Sequence, residues 1–158
     1  MRIFAQILKM KKLFFAAICL VALSFSACNK KNQDVVKDLE GDWTLSAKTE
    51  NGVAVPASEI AGTTYSFQLC KVRKDDCDGS ISVADSTKGT ITNTFTYSIT
   101  DDASKFNMTV SLLGLSETVT ADIIEHSASK FVFEYNDAQT DSSSANVTVK
   151  VRETLSKK

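Results

Sequence analysis

The chain reads as an all-β protein, an antiparallel up-and-down barrel of eight strands, with a two-sheet β-sandwich as the alternative. Two observations predict it. Eight successive runs alternate apolar and polar residues with period two, the mark of a sheet with one buried and one wet face. Turn-forming residues separate the runs, and no stretch between them is long and periodic enough for a crossover helix, so neighbouring strands pair antiparallel.

The fold argument applies to only part of the chain. The 158 residues carry 18 basic and 19 acidic side chains and are 43% hydrophobic, the averages of one ordinary domain. Those averages conceal two populations. Residues 1–27 hold Arg2, Lys9, Lys11, Lys12 and no acid, and 20 of the 27 are hydrophobic. The other 131 residues carry 14 basic and 19 acidic groups. Met10-Lys11-Lys12, the apolar run Leu13 to Leu23, and the small residues Ser24-Phe25-Ser26-Ala27 have the order of an export signal. The run is too short to span a bilayer, which needs about 20 residues. The position of the charged head makes Met10 the expected start.

The exported domain is expected over residues 35–158, strand by strand. Val35, Val36 and Leu39 have helical spacing and predict one short turn. The first strand runs from Trp43 to Thr49, closed by the turn Asn51-Gly52. Val53 to Gly62, with the only proline (Pro56), is the one long loop. Tyr65, Phe67 and Leu69 share a face of the second strand, and Ile81 and Val83 a face of the third. Ile91, Phe95, Tyr97 and Ile99 line the fourth, with Asn93 a polar break. Phe106, Met108, Val110 and Leu112 line the fifth, Val119, Ala121 and Ile123 the sixth. Phe131, Phe133 and Tyr135 line the seventh, and Val147, Val149 and Val151 the eighth. Turns are expected at Asp78-Gly79, Lys88-Gly89, Asp101-Asp102, Leu113-Gly114, His126-Ser127 and Asn136 to Ser144. The 32 Ser and Thr among the 131 exported residues fall mostly on the opposite, outward faces, where Thr suits the pleat.

Cysteine usage fits export. Of four cysteines, Cys19 lies in the signal and Cys28 at its end. Cys70 and Cys77 remain, and in an oxidising compartment a pair flanking a short loop predicts a structural disulfide. A metal centre would need further ligands, and the only histidine is His126.

Two resemblances add to this. Ser26-Ala27-Cys28 resembles a bacterial lipobox, with Phe25 at the position usually held by Leu. It implies that Cys28 is lipidated and begins the mature chain, that residues 28–34 form a polar tether, and that the partner is a membrane. Asn29 implies outer-membrane attachment, facing periplasm or exterior. Leu39-Glu40-Gly41-Asp42-Trp43-Thr44-Leu45 resembles the Gly-x-Trp opening of the lipocalins, and the lipocalin-like lipoproteins of Gram-negative bacteria in particular. Thr94 to Ile99 and Lys105 to Val110 resemble the middle strands of that group. The resemblance spans nearly all of residues 35–156 and implies that Trp43 plugs one end of the barrel, covered by a basic residue of the last strand: Arg152 is expected there, with Lys150 second.

Catalytic and cofactor signatures are not evident. His126 reads as an exposed turn residue, Asp75, Asp76 and Asp78 lack the continuation of a calcium loop, and neither a phosphate loop nor a basic aromatic stripe is present. The expected function is therefore non-catalytic, without metal, cofactor or nucleic acid, by a monomer. A barrel lined by Phe67, Phe95, Tyr97, Phe106, Met108, Phe131, Phe133 and Tyr135 is expected to hold a small apolar ligand. The alternative is a protein-interaction or hydrolase-inhibitor module acting through the Val53–Gly62 and other rim loops.

Overall fold

A computed structural model describes residues 30–71, 76–85, 87, 89–112, 115–140 and 146–158. The expected export signal with Met10, Cys19 and Cys28 lies outside the described residues, as do Asp75, Lys88 and the expected Leu113-Gly114 turn. A helix, α1, occupies residues 30–39. The strands are β1 (Gly41–Glu50), β2 (Val53–Ala54), β3 (Thr64–Phe67), β4 (Cys77–Asp85), β5 (Gly89–Thr100), β6 (Lys105–Leu112), β7 (Leu115–His126), β8 (Lys130–Thr140) and β9 (Asn146–Lys157), with a one-turn helix α2 (Ala57–Ile60) between β2 and β3. Neighbours in the sheet follow chain order, every pairing is antiparallel, and β9 returns to pair with β1. The result is a closed barrel of eight strands, with β2 a short flange on the upper end of β1. Closure decides between the two expected architectures in favour of the barrel.

One end of the barrel is sealed by α1. Its Val35, Val36 and Leu39 recur at helical spacing, face the barrel interior and are at most 1% exposed. Asn32, on the same face, accepts a hydrogen bond from the Ala103 N–H at 2.7 Å. Around the rim, Gln33 donates to the Cys70 carbonyl at 2.9 Å, Lys31 pairs with Asp102, and Asp38 meets His126 Nδ1 at 3.2 Å. The helix is thus tied to three of the loops or strand ends at that end. Residues 30–34, part of the tether expected over residues 28–34, are helical and are tied to the domain by these contacts.

The helix ends where the chain must turn into β1. Glu40 N–H bonds to the Val36 carbonyl, and Gly41 takes φ +112°, a conformation that side chains disfavour. The last carbonyls of a helix have no partner within it. The Leu39 carbonyl is satisfied from outside, by the Trp43 indole N–H at 2.6 Å. Trp43 is fully buried, and the Lys157 ammonium lies 5.3 Å from its ring centre while donating to the Asp38 carbonyl at 3.2 Å. The covering base is therefore Lys157, not Arg152. The register explains the correction. Lys157 sits opposite Trp43, whereas Arg152 sits opposite Thr49 on the outward side, where it and Lys150 both pair with Glu134.

Three local departures from the expected strands are seen, the first with a steric cause. Asp78-Gly79 lies inside β4 rather than in a turn. A Cβ on Gly79 would stand 2.4 Å from the Phe95 ring, so the glycine makes room for the ring across the sheet. The Asn136 to Ser144 segment is strand as far as Thr140, with Asn136 to Thr140 paired to β9. Leu69 falls just past the end of β3 and is exposed.

Cys70 and Cys77 form a disulfide with their Cα atoms 5.3 Å apart, joining the exit of β3 to the start of β4 beside α1. Replacing both by Ser is expected to lower stability by about 2–3 kcal/mol, the chain-entropy value for so short a loop. Leu39→Ala is expected to cost about 2–5 kcal/mol, as a buried Leu truncation does. Urea unfolding of each variant checks both values.

Candidate functional site

The barrel interior divides into two halves of different chemistry. The half next to α1 is filled. Phe67, Phe95, Tyr97, Phe106, Phe131 and Phe133 are buried there, and their rings touch with centroids 5.2–6.5 Å apart. Phe67 is the hub, meeting the rings of Tyr65, Phe95, Tyr97, Phe106 and Phe131. Tyr97 donates its O–H to the Gln68 carbonyl at 2.9 Å, and burial pushes its phenol pKa up. These six residues, expected to line a ligand mouth, instead occupy the space with one another. Of the expected lining set, only Met108 and Tyr135 stand at the boundary with the other half, both part-buried.

The other half is a cup open to solvent. Val83, Ile91 and Val147 point inward by alternation, yet they remain 40%, 42% and 37% exposed. That exposure shows that, among the described residues, this half is less filled than the half beside α1. One wall of the cup, from β4, β5 and β6, is mainly apolar: Ile81, Val83, Ile91, Met108 and Val110 face inward, with Asn93 the polar exception. The facing wall, from β8, β9 and β1, is polar at several inward positions: Tyr135, Asp137 and Gln139 on β8, Glu153 on β9, Lys48 and Glu50 on β1.

At the floor of that wall sits Glu153, 5% exposed. Tyr65 donates to its Oε2 at 2.7 Å and Tyr135 to its Oε1 at 3.1 Å. Lys48 is its register partner and pairs with Glu50 at 2.9 Å. Burial holds the Glu153 carboxyl above its usual pKa, and the two phenols and Lys48 only partly offset that. Burial and the nearby Glu153 charge push both tyrosines up as well. Higher on the wall, Gln139 Nε2 donates to Asp137 at 2.9 Å.

A β-bulge explains why this polar patch faces in. Between Leu45 and Ala47 the β1–β9 register slips by one residue. Without it, Lys48 and Glu50 would point outward. On β9 no such device is needed: Glu153 continues the inward parity of Val149 and Val151. A second bulge, between Ile123 and Glu125 on β7, sets His126 opposite Phe131, at the sealed end against Asp38 rather than in a turn.

Outside the barrel, a shallow depression of about 570 Å³ lies over β3, β4 and β5, lined chiefly by Ser, Thr, Gln and Asp. It belongs to the outer wall, with Gly79 and Phe95 among its lining residues. Among the described residues no group of three or more His, Cys, Asp or Glu side chains is arranged to hold a metal ion.

No protein-family model matches the chain, and no curated protein matches it. Among solved structures, it is similar to a lipocalin-like protein from Bacteroides uniformis at a TM-score of 0.54 and 16% identity, over 77% of this chain and 99% of that one. The chain has a lipocalin-like fold. At that identity the likeness speaks to the fold alone, and the site must be read from its own residues.

Glu153 raises a testable point about pH. Its pKa is higher in the folded than in the unfolded chain, so between the two values the folded state binds more protons. Stability then falls as pH rises through that window and is regained on acidification toward the unfolded pKa. Glu153→Gln, which removes the buried charge but keeps the shape, is expected to lose this dependence. Its melting temperature should equal or exceed that of the parent at pH 8, and the difference should shrink toward pH 4.5. Thermal melts of both proteins across that range check it.

Proposed function

We propose that the chain is a non-catalytic binding module that holds a small ligand in the open half of its barrel, and that it is exported and tied to the outer membrane by lipid on Cys28. The observation that carries the ligand reading is the exposure of Val83, Ile91 and Val147 on inward-facing positions. A ligand there would cover apolar surface at roughly 25 cal/mol per Å², without displacing the packed aromatic half.

The anchoring reading gains a direction from α1. The described part of α1 reaches back to residue 30, two residues after Cys28, a span of at most about 7 Å at 3.3–3.6 Å per residue. A lipidated Cys28 therefore sets the sealed end against the bilayer and turns the cup away from it. The alternative, protein docking at the rim, has Val53 of β2, 72% exposed, as its specific support.

Titration of the purified domain with the apolar fluorophore N-phenylnaphthylamine tests the ligand reading. Binding should be saturable and should be abolished by Ile91→Trp, which fills the cup, while Val53→Ala leaves it intact. Absence of saturable binding, or binding lost with Val53→Ala and kept with Ile91→Trp, overturns the cup in favour of the rim. For the anchor, mass spectrometry of the N-terminal peptide from cell envelopes should show an acylated Cys28; an unmodified one contradicts it.

A further inference from the structure

We propose that the cup selects amphipathic monocations, ligands with one ammonium group on an apolar body. The proposal rests on the cup being a ligand site and adds the chemistry of what enters it.

Among the residues whose side chains are described, the ionisable ones that strand register turns toward the open half, tyrosines aside, are Lys48, Glu50, Glu117, Asp137 and Glu153. That is four carboxylates against one ammonium. Lys48 is engaged by Glu50 at 2.9 Å. Asp137 and Glu153 receive hydrogen bonds only from neutral groups, the Gln139 amide and the Tyr65 and Tyr135 hydroxyls. Neutral donors stabilise a carboxylate without cancelling its charge. Each carboxylate oxygen can accept about two hydrogen bonds, so the part-buried Asp137 retains acceptor capacity for a ligand.

Placement then gives the ligand its shape. The barrel order sets β9 across the ring from β5 and β8 across from β4. Glu153 and Asp137 thus lie on the strands across the ring from those that carry Ile91 and Val83. The ring of Tyr135, stacked on Phe133 with centroids 6.1 Å apart, stands beside the acidic wall. A carboxylate next to an aromatic ring suits an ammonium, which is attracted by both. The opposite wall offers an alkyl or aryl body apolar contact. An anionic amphiphile of the same shape would bring like charge into a space only partly wetted, where repulsion is stronger than in bulk water.

Three probes with the same eight-carbon chain separate the proposal from the reading beneath it: octylammonium, octanol and octanoate, titrated at pH 7.5 and followed by the methyl resonances of Val83, Ile91 and Val149. Octylammonium should bind at least tenfold more tightly than octanoate, with octanol between them. The double variant Glu50→Gln, Asp137→Asn alters two part-exposed side chains and leaves the buried Glu153 untouched; in it the gap should narrow to threefold or less. Octanoate binding as tightly as octylammonium, or a gap unchanged in the variant, overturns cation selection while leaving the cup as a ligand site. Failure of all three to bind overturns both.

Discussion

The hydrogen bond from the Trp43 indole to the Leu39 carbonyl is the point on which the molecule turns. It joins the end of α1 to the first barrel strand over four residues, too short a connection for the helix to swing away without exposing the indole. It also satisfies a helix-terminal carbonyl that would otherwise be buried unpaired, at a cost of about 1–3 kcal/mol. Lys157 completes the arrangement from the last strand, so the first and last strands of the closed barrel meet at the same ring.

Sealing one end this way determines what the other end can be. Eight short strands enclose a space that side chains can just fill. Here the large rings are concentrated beside α1, where Val35, Val36 and Leu39 add a further apolar layer. Smaller and charged residues are left for the opposite half, which stays open. A buried carboxylate there is destabilising in itself unless it is hydrogen-bonded. That Glu153 is held by two tyrosines marks the floor of the cup as an organised polar environment rather than a packing fault.

The barrel was legible in the sequence because alternation is a strong signal: the inward apolar side chains described on β5 to β8 are the expected ones, and the disulfide joins the expected pair. Boundaries were lost where a turn-like pair has a packing role, as at Gly79 under Phe95. Helix over residues 30–34 is not legible because these residues are polar, with Asn32 and Gln33 serving as hydrogen-bonding groups to loops distant in sequence. Lys157 was missed because a strand's end is the part alternation describes least well, though it shares the inward parity of Val151. The cup was half legible. Parity alone places Glu153 inside, but the inward turn of Lys48 and Glu50 depends on a one-residue bulge that no composition or period announces. The aromatics were read as lining because periodicity says which face is inward, not at which height the barrel is full.

Amide hydrogen exchange on the intact protein tests directly whether α1 is an integral seal. If the helix closes the barrel as described, the amides of Val36 to Leu39 should exchange only through global unfolding, at the same free energy as the slowest amides of β8 and β9. Exchange of α1 through a separate, lower-energy opening, with the barrel strands still protected, would show a detachable appendage and contradict the seal.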